Sequence, residues 1–359
     1  MAVPLRAEVL KRKVVSQSRP LARLDATPSV TIAVPVLNEE RSLDRCLDAV
    51  SAQTYAGIVE VFVIDGGSVD ATRELVRGRG GNVTLIDNPR RVQAAGLNVA
   101  LSHAQGEVFV RVDGHCVVEP DYVERCVEAL LGTGAAMVGG GMRPVGQEPV
   151  SRGIASAMCS PLGAGPARFH IGGTAQWVDT VYLGAFRTEL AKRLGGYAED
   201  VGVNEDAEFA IRVGRHGGVW FDPAIRSTYT PRSTLTGLVR QFYRYGRSRS
   251  ATVRRHPQSL ALRQLASPVL VLGLATPWRR LVAAAYAIVV LGASVREMNH
   301  DRRAAARFPF VLPAMHLSWG AGFLGGLIAP IRSQKPDRSV AASVTIHAPE
   351  VSAPVPGSA

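Results

Sequence analysis

Between residues 29 and 131 the chain alternates short, unbroken β-branched runs with longer stretches in which apolar residues recur every three or four positions. SVTIAVPVL (29–37), VEVFVID (59–65), NVTLID (82–87) and EVFVRVD (107–113) read as strands, and the stretches 39–52, 70–79, 91–103 and 120–131 as helices. Strands of this composition, each followed by one helix, belong to parallel sheets covered on both faces, so the pattern predicts an α/β fold. In such sheets the ligand lies beyond the carboxyl ends of the strands. That rule directs attention to four loops: after Leu37, at Asp65, after Asp87 and at Asp113.

From about 139 to 231 the alternation fails. Gly- and Pro-rich stretches surround WVDTVYLGAFRTEL, GGY (195–197), VNEDAEFAIRVGRHGG and VWFDPAI, which read as the second half of the same domain, where the acceptor side of a cleft is built. A basic amphipathic helix over 235–255 follows. Beyond it the pattern turns apolar: 267–275 and 281–294 are separated by Trp278, Arg279 and Arg280, and 308–330 is long enough to cross a bilayer at about 1.5 Å of rise per residue. The earlier pair reaches that length only if the two arginines snorkel or the helix breaks there. Apolar Gly/Ala/Ser-rich segments flanked by Arg are the composition of packed membrane helices. The expected organisation is a basic arm (1–28), an α/β domain (29–255), a membrane-associated helical region (256–332) and a disordered Ser/Pro/Ala-rich tail (333–359).

Composition narrows the class. With 359 residues, 47% hydrophobic and 20% charged, the chain can bury a sizeable core, which excludes wholesale disorder, a collagen-like repeat or a small disulfide-stapled fold. A mean hydropathy of +0.09 is high for a soluble enzyme and agrees with a membrane-contacting part. Lys and Arg number 41 against 30 Asp and Glu, a net charge of +11 that favours nucleotide phosphates, acidic headgroups or nucleic acid. No nucleic-acid-binding motif appears. Cys46, Cys116, Cys126 and Cys159 form no CxxC pair, so neither a zinc site nor a disulfide framework is expected. The N-terminus lacks an apolar core of the secretory kind.

Several short segments could carry chemistry. Pro35-Val36-Leu37-Asn38-Glu39-Glu40 follows the first strand, its acids suited either to a ligand or to a helix's first turn. Asp65-Gly66-Gly67-Ser68-Val69-Asp70 offers a tight glycine turn, a capping Ser68 and a carboxylate for a base or ribose. Neither a P-loop nor a GxGxxG follows the first strand. Val110-Arg111-Val112-Asp113-Gly114-His115-Cys116 ends an apolar strand on a carboxylate with a second ligand two residues on, a compact means of holding a divalent cation against a diphosphate. Asn204-Glu205-Asp206-Ala207-Glu208 opens a helix with adjacent carboxylates, where the dipole and like-charge crowding pull pKa values apart, as a general base requires. Arg240 and Arg244, four apart in RQFYRYG, either hold a pyrophosphate or acceptor or form a solvated, headgroup-facing stripe.

Taken together and in order, VPVLNEE, VIDGGSVD, VRVDGHC, GGY, NEDAE and RQFYRYG resemble the inverting nucleotide-sugar glycosyltransferases of family 2, which have the GT-A fold, and in particular membrane-associated members of the succinoglycan exopolysaccharide type. The resemblance spans about residues 29–255. It implies that Pro35, Asn38, Glu39, Asp65 and Ser68 line the donor nucleotide pocket and that Asp113 and His115 stand at the metal-binding DxD. It also implies that Asp206, backed by Glu205, is the catalytic base, and that Arg240, Gln241 and Arg244 correspond to Q/RxxRW. His115 replaces the second Asp of DxD, and Tyr245 replaces the Trp, which favours addition of one sugar over processive synthesis. The implied reaction is inverting transfer from a nucleotide-diphosphate sugar, UDP-linked by family analogy, to a lipid-linked or saccharide acceptor with Mg²⁺ or Mn²⁺. It would take place at the cytoplasmic face of the inner membrane, since the Arg-rich flanks stay inside. A sugar-phosphate nucleotidyltransferase would need a basic Gly-rich signature near the first strand, where this chain has Asn-Glu-Glu. A non-catalytic scaffold would leave Asp65, Asp113, Glu205 and Asp206 idle.

Overall fold

The computed structural model describes residues 21, 23–163, 165, 167–329 and 345–347. The four predicted strands, β1 (Val30–Val36), β2 (Ile58–Asp65), β3 (Val83–Asp87) and β4 (Val108–Arg111), pair in parallel in the spatial order β3-β2-β1-β4. Strand order therefore reverses between β1 and β4, which is where an open α/β sheet has its ligand crevice. Alternate residues of β1 enter separate cores: Val30, Ile32, Val34 and Val36 pack on one face and Ala33 on the other, the two-sided burial that made the run continuously apolar. Pro35 sits in this central strand without breaking it. Its missing N–H points to the β4 side, where the ladder has ended at Ala33–Arg111.

The irregular second half does form strands. β5 (Cys116–Val118), β6 (Met137–Pro144), β7 (Gln176–Val178), β8 (Tyr182–Arg187) and β9 (Val219–Tyr229) extend the sheet in the order β4-β8-β6-β9-β5, with β7 also on β9. Most of these pairings are antiparallel, and β6 and β9 carry register shifts, so no helix-per-strand rhythm marks them in the sequence. β10 (Ile346–His347) adds antiparallel to β3. This corrects the expectation of an unstructured tail for the residues 345–347; the rest of 333–359, like residues 1–20 of the arm, lies outside the described residues.

The sheet carries α1 (Leu43–Ser51), α2 (Thr72–Arg77), α3 (Gln93–His103), α4 (Tyr122–Thr133), α5 (Pro149–Cys159), α6 (Arg168–Ile171), α7 (Thr188–Arg193) and α8 (Glu205–Gly214). The first two start later than their periodicity predicts, because residues at the expected starts tie two loops together instead of entering helix. Ser68 does not cap α2. Its Oγ accepts the Asn38 N–H at 2.8 Å, while the Asn38 Oδ1 accepts from Val69 N–H at 2.9 Å and Glu39 N–H donates to Thr72 Oγ1 at 2.8 Å. All four cysteines are free, as the absence of paired spacings implied.

The C-terminal helices are α9 (Leu235–Arg255), α10 (Ala266–Leu274), α11 (Arg279–Met298), α12 (Arg302–Ala305) and α13 (Phe308–Ile328). The chain breaks between α10 and α11 around Pro277, so Arg279 and Arg280 open a helix and need not be buried inside one. α11 and α13 are each long and apolar enough to cross a membrane. Their environments differ: α11 leaves Leu281, Ile288, Leu291 and Val295 exposed, whereas Phe308, Val311, Leu312 and Met315 of α13 join the core that holds β1. Side chains of α11 and α13 thus share a hydrophobic core with β1.

α13 lies along α9 on a glycine seam. A Cβ on Gly246 would collide with the Trp319 carbonyl, one on Gly322 with the Tyr243 carbonyl and one on Gly326 with Ser250 Oγ. This reverses the usual sign of a glycine substitution in a helix. Gly132→Ala in α4, with nothing near its new methyl group, is expected to gain up to about 1 kcal/mol from helix propensity. Gly246→Ala is expected to lose about 1–3 kcal/mol by overpacking, read as opposite shifts of the thermal midpoint.

Candidate active site

β1 and β4 part at their carboxyl ends, and the loops that follow them face each other across the gap. Glu39 Oε1 from the first meets His115 Nδ1 from the second at 3.1 Å. The His115 ring also stands edge-on to Tyr229, with centroids 5.4 Å apart. Burial works against a charged His115, but the Glu39 carboxylate and then Asp113 outweigh it and raise its pKa.

β4 delivers the centre of the site. Arg111 and Asp113, two apart, project to the same side, and Arg111 Nε donates to Asp113 Oδ1 at 2.8 Å while Nη2 reaches Oδ2 at 3.3 Å. The third guanidinium nitrogen, Nη1, donates to Glu205 Oε1 at 3.1 Å. These side chains are 6%, 11% and 1% exposed respectively. Arg111 therefore clamps the end of β4 to the start of α8. Burial disfavours the Asp113 carboxylate, yet the adjacent guanidinium holds its pKa below the ordinary aspartate value. Gln93 Nε2 adds a further donor to Asp113 Oδ1 at 3.2 Å.

At the first turn of α8, Glu205 and Asp206 diverge. Glu205 faces Arg111, and its Oε2 is buried with no hydrogen-bond partner. Asp206 is half-buried, and its Oδ1 accepts only the Ala207 N–H, at 2.7 Å. Burial raises the pKa of both, opposed by Arg111 and reinforced by Asp113. Through Arg111, Asp113 and Glu205 belong to one buried cluster, and Asp206 follows Glu205 on the same first turn of α8. A half-exposed carboxylate of raised pKa is chemically a proton acceptor.

The remaining predicted residues fall into two groups. Asp65 is buried and bonded within the protein: its side chain is 0% exposed, its oxygens accept the Ser68 N–H at 3.0 and 3.2 Å, and Oδ2 also accepts Arg73 Nη1 at 2.7 Å. It therefore shapes the Gly66–Gly67–Ser68 turn, in which Gly67 has φ +85 and faces the Arg91 guanidinium. Pro35 is buried in β1, and the loops that follow β1 and β2 carry an exposed Asn38 and a half-buried Ser68. On α9, Gln241 turns inward and donates to the hydroxyls of Tyr229 at 3.3 Å and Tyr245 at 2.9 Å. Arg240 and Arg244 are exposed on α9, and among the described residues neither makes an ion pair. Arg232, just before α9, is exposed, and its positive charge partly offsets the raised pKa values of His115, Tyr229 and Tyr245.

Sequence reasoning missed Arg111, Gln93 and Arg232 as site residues. For Arg111 the signal was present, since a cation two residues before a strand-end aspartate shares its face. Gln93 and Arg232 carry no such local mark.

Among the described residues, Asp113, His115 and Cys116 form a group of potential metal ligands with their ligand atoms within 4.8 Å of one another. Cys116 is poorly suited: its Sγ lies 2.7 Å from Tyr182 Oη, and burial pushes its pKa well up, so it stays a thiol. The remaining carboxylate oxygen and imidazole nitrogen fit a hard divalent cation that takes most of its ligands from water and phosphate.

Residues 31–195 match the family described as Glycosyl transferase family 2. The chain is 32% identical over 315 residues to the succinoglycan biosynthesis protein ExoA of Rhizobium meliloti, covering 84% of this chain and 95% of that one. It is 24% identical over 239 residues to a dolichyl N-acetyl-α-D-glucosaminyl phosphate 3-β-D-2,3-diacetamido-2,3-dideoxy-β-D-glucuronosyltransferase of Methanococcus voltae, covering 63% and 74%. In fold it is similar to the mannosyltransferase PcManGT of Pyrobaculum calidifontis, solved with GDP-Man and Mn²⁺. The TM-score is 0.59 at 21% identity, over 90% of this chain and 94% of that one.

Proposed function

Because the chain belongs to glycosyltransferase family 2, we propose that it transfers one sugar, with inversion, from a nucleoside diphosphate sugar to a lipid-linked or saccharide acceptor in polysaccharide or glycolipid synthesis. The observation that supports the reading is the Arg111 clamp, whose guanidinium ties the strand-end Asp113 to the Glu205–Asp206 turn of α8. In this reading Asp206 accepts the proton of an acceptor hydroxyl as that oxygen attacks the anomeric carbon and the nucleoside diphosphate departs from the opposite side. Glu205, paired to Arg111, positions Asp206 and leaves it as the free carboxylate. Asn38, Glu39, Ser68 and the turn shaped by Asp65 hold the nucleoside, while Gln241, Arg240, Arg244 and Arg232 serve the diphosphate or acceptor side. Bound at Asp113 and His115, Mg²⁺ or Mn²⁺ supplies neutralisation of the diphosphate's developing charge.

The donor is read as a UDP-sugar by family analogy. The test is a panel of labelled UDP-, GDP- and dTDP-sugars incubated with membranes containing the protein, with and without EDTA; no hydrolysis or transfer from any donor rejects the proposal. Asp113→Ala is expected to weaken donor binding in Mn²⁺ at least about tenfold, the equivalent of about 1.4 kcal/mol, and to abolish the difference between Mn²⁺ and EDTA in calorimetric titration. An unchanged affinity in both media would remove Asp113 from the metal site.

The same reading places the enzyme on the inner membrane with its crevice in the cytoplasm, where Arg-rich flanks are retained. Support for lipid contact is strongest at α10 and α11, whose outward side chains Val269, Leu272, Leu281, Ile288, Leu291 and Val295 are exposed. α13 is closely packed on the arginine-bearing α9, so bilayer contact is assigned chiefly to the α10–α11 pair. Full-length protein is expected to stay with membranes through an alkaline wash; release would reject insertion.

A further inference from the structure

Without β10, β3 would be the open edge of the sheet beside the proposed nucleoside pocket. β10 covers that edge from about 260 residues away in sequence, pairing Ile346 with Ile86 and His347 with Leu85, and Thr345 O accepts the Asp87 N–H at 3.0 Å. Two residues of strand have little stability of their own, so what fastens them is decided by side chains.

His347 reaches the carboxyl end of β3. Its Nε2 lies 3.3 Å from Asp87 Oδ2 and 3.4 Å from Arg73 Nη2, so the ring has a partner in either neutral tautomer. Arg73 Nη1 in turn donates to Asp87 Oδ1 and to Asp65 Oδ2, both at 2.7 Å. From Asp65 the chain of contacts continues to the Ser68 N–H and from Ser68 Oγ to the Asn38 N–H. Five polar side chains thus connect the C-terminal strand to the two loops that rim the crevice. None of them touches the Asp113–Arg111–Glu205 cluster through the contacts just described.

We propose that His347 is a positioning residue for the donor nucleotide: the C-terminal strand, by holding Asp87 and Arg73, fixes Asp65 and the Gly66–Ser68 turn in the shape that receives the nucleoside. This rests on the proposed function for the identity of the ligand. Its consequence is a split between binding and turnover, because the contacts lead to the nucleoside loops and away from the proposed base.

The probe is whichever of UDP, GDP and dTDP binds the full-length wild type most tightly in the presence of Mn²⁺. His347→Ala is expected to raise its Kd roughly three- to tenfold, the scale of a partly exposed hydrogen bond to charged partners. Donor KM should rise in parallel, with kcat and acceptor KM within about twofold of wild type. His347→Pro, which removes the ring together with the N–H that the register turns towards Leu85, should act in the same direction. His347→Gln, whose amide N–H can still reach Asp87, should recover most of the loss, which a merely structural filler would not reproduce. A Kd unchanged in both His347→Ala and His347→Pro overturns the inference while leaving the proposed function intact. If the wild type binds none of the three nucleotides, the proposed function falls and this inference with it.

Discussion

Asp206→Asn is expected to lower kcat for sugar transfer by about 10²–10⁴-fold, while the Kd of the nucleotide donor stays within about threefold. The amide keeps the size of the carboxylate and can still accept the Ala207 N–H that orients it, so the turn at the head of α8 is preserved. What is lost is the one free carboxylate of the pair: Glu205 is committed to Arg111, whereas Asp206 is half-exposed beside it at the head of α8. Glu205→Gln is expected to act differently. Its amide still offers an oxygen to Arg111 but brings a second set of donors beside a guanidinium, so folding stability should fall along with turnover. Single-turnover measurements with saturating donor separate the two cases, and near-normal transfer by Asp206→Asn would remove it as the base.

Arg111→Met carries the largest expected cost in stability. The guanidinium is the shared partner of two buried carboxylates, and deleting one member of a buried ion pair leaves an uncompensated charge, costing about 3–5 kcal/mol. Calorimetry should show the thermal midpoint falling on the order of 10 °C, with loss of transfer in the same preparation. Coupling makes the test specific. If the cost comes from stranded charge, Arg111→Met combined with Glu205→Gln should be more stable than Arg111→Met alone, contrary to simple addition. Additive losses would mean that Arg111 contributes packing and little electrostatics. Arg111→Lys should recover only part, since an ammonium cannot reach both carboxylates with a fork.

The parallel half of the fold was legible because its signals are local. Each strand of the β3-β2-β1-β4 group is a short run dominated by Val, Ile and other apolar residues, and α9 occupies the residues its periodicity predicts. The starts of α1 and α2 were misplaced for a definite reason: polar groups at their expected first turns bond to the neighbouring loop, and no periodicity encodes that. The second half was opaque because β8 and β9 return antiparallel or with register shifts, which breaks the strand–helix rhythm. At the site, the motif order marked Asp113, His115, Glu205 and Asp206. It could not show that the Asp65 carboxylate is buried against Arg73 beneath the turn that follows it.

By itself the sequence determined the alternating α/β half, the loops that would carry chemistry, the order of the acidic motifs and the apolar character of the C-terminal helices. Tertiary structure alone decided that Arg111 joins Asp113 to Glu205 across 94 residues, that His347 closes on Asp87 across 260, and that α13 is seated on α9. Backbone propensity and hydrophobic period act over one or two turns of chain, so they are written in neighbouring residues. Ion pairs, edge strands and glycine seams depend on which elements become neighbours in space, and that is settled only when the sheet and its two cores have assembled.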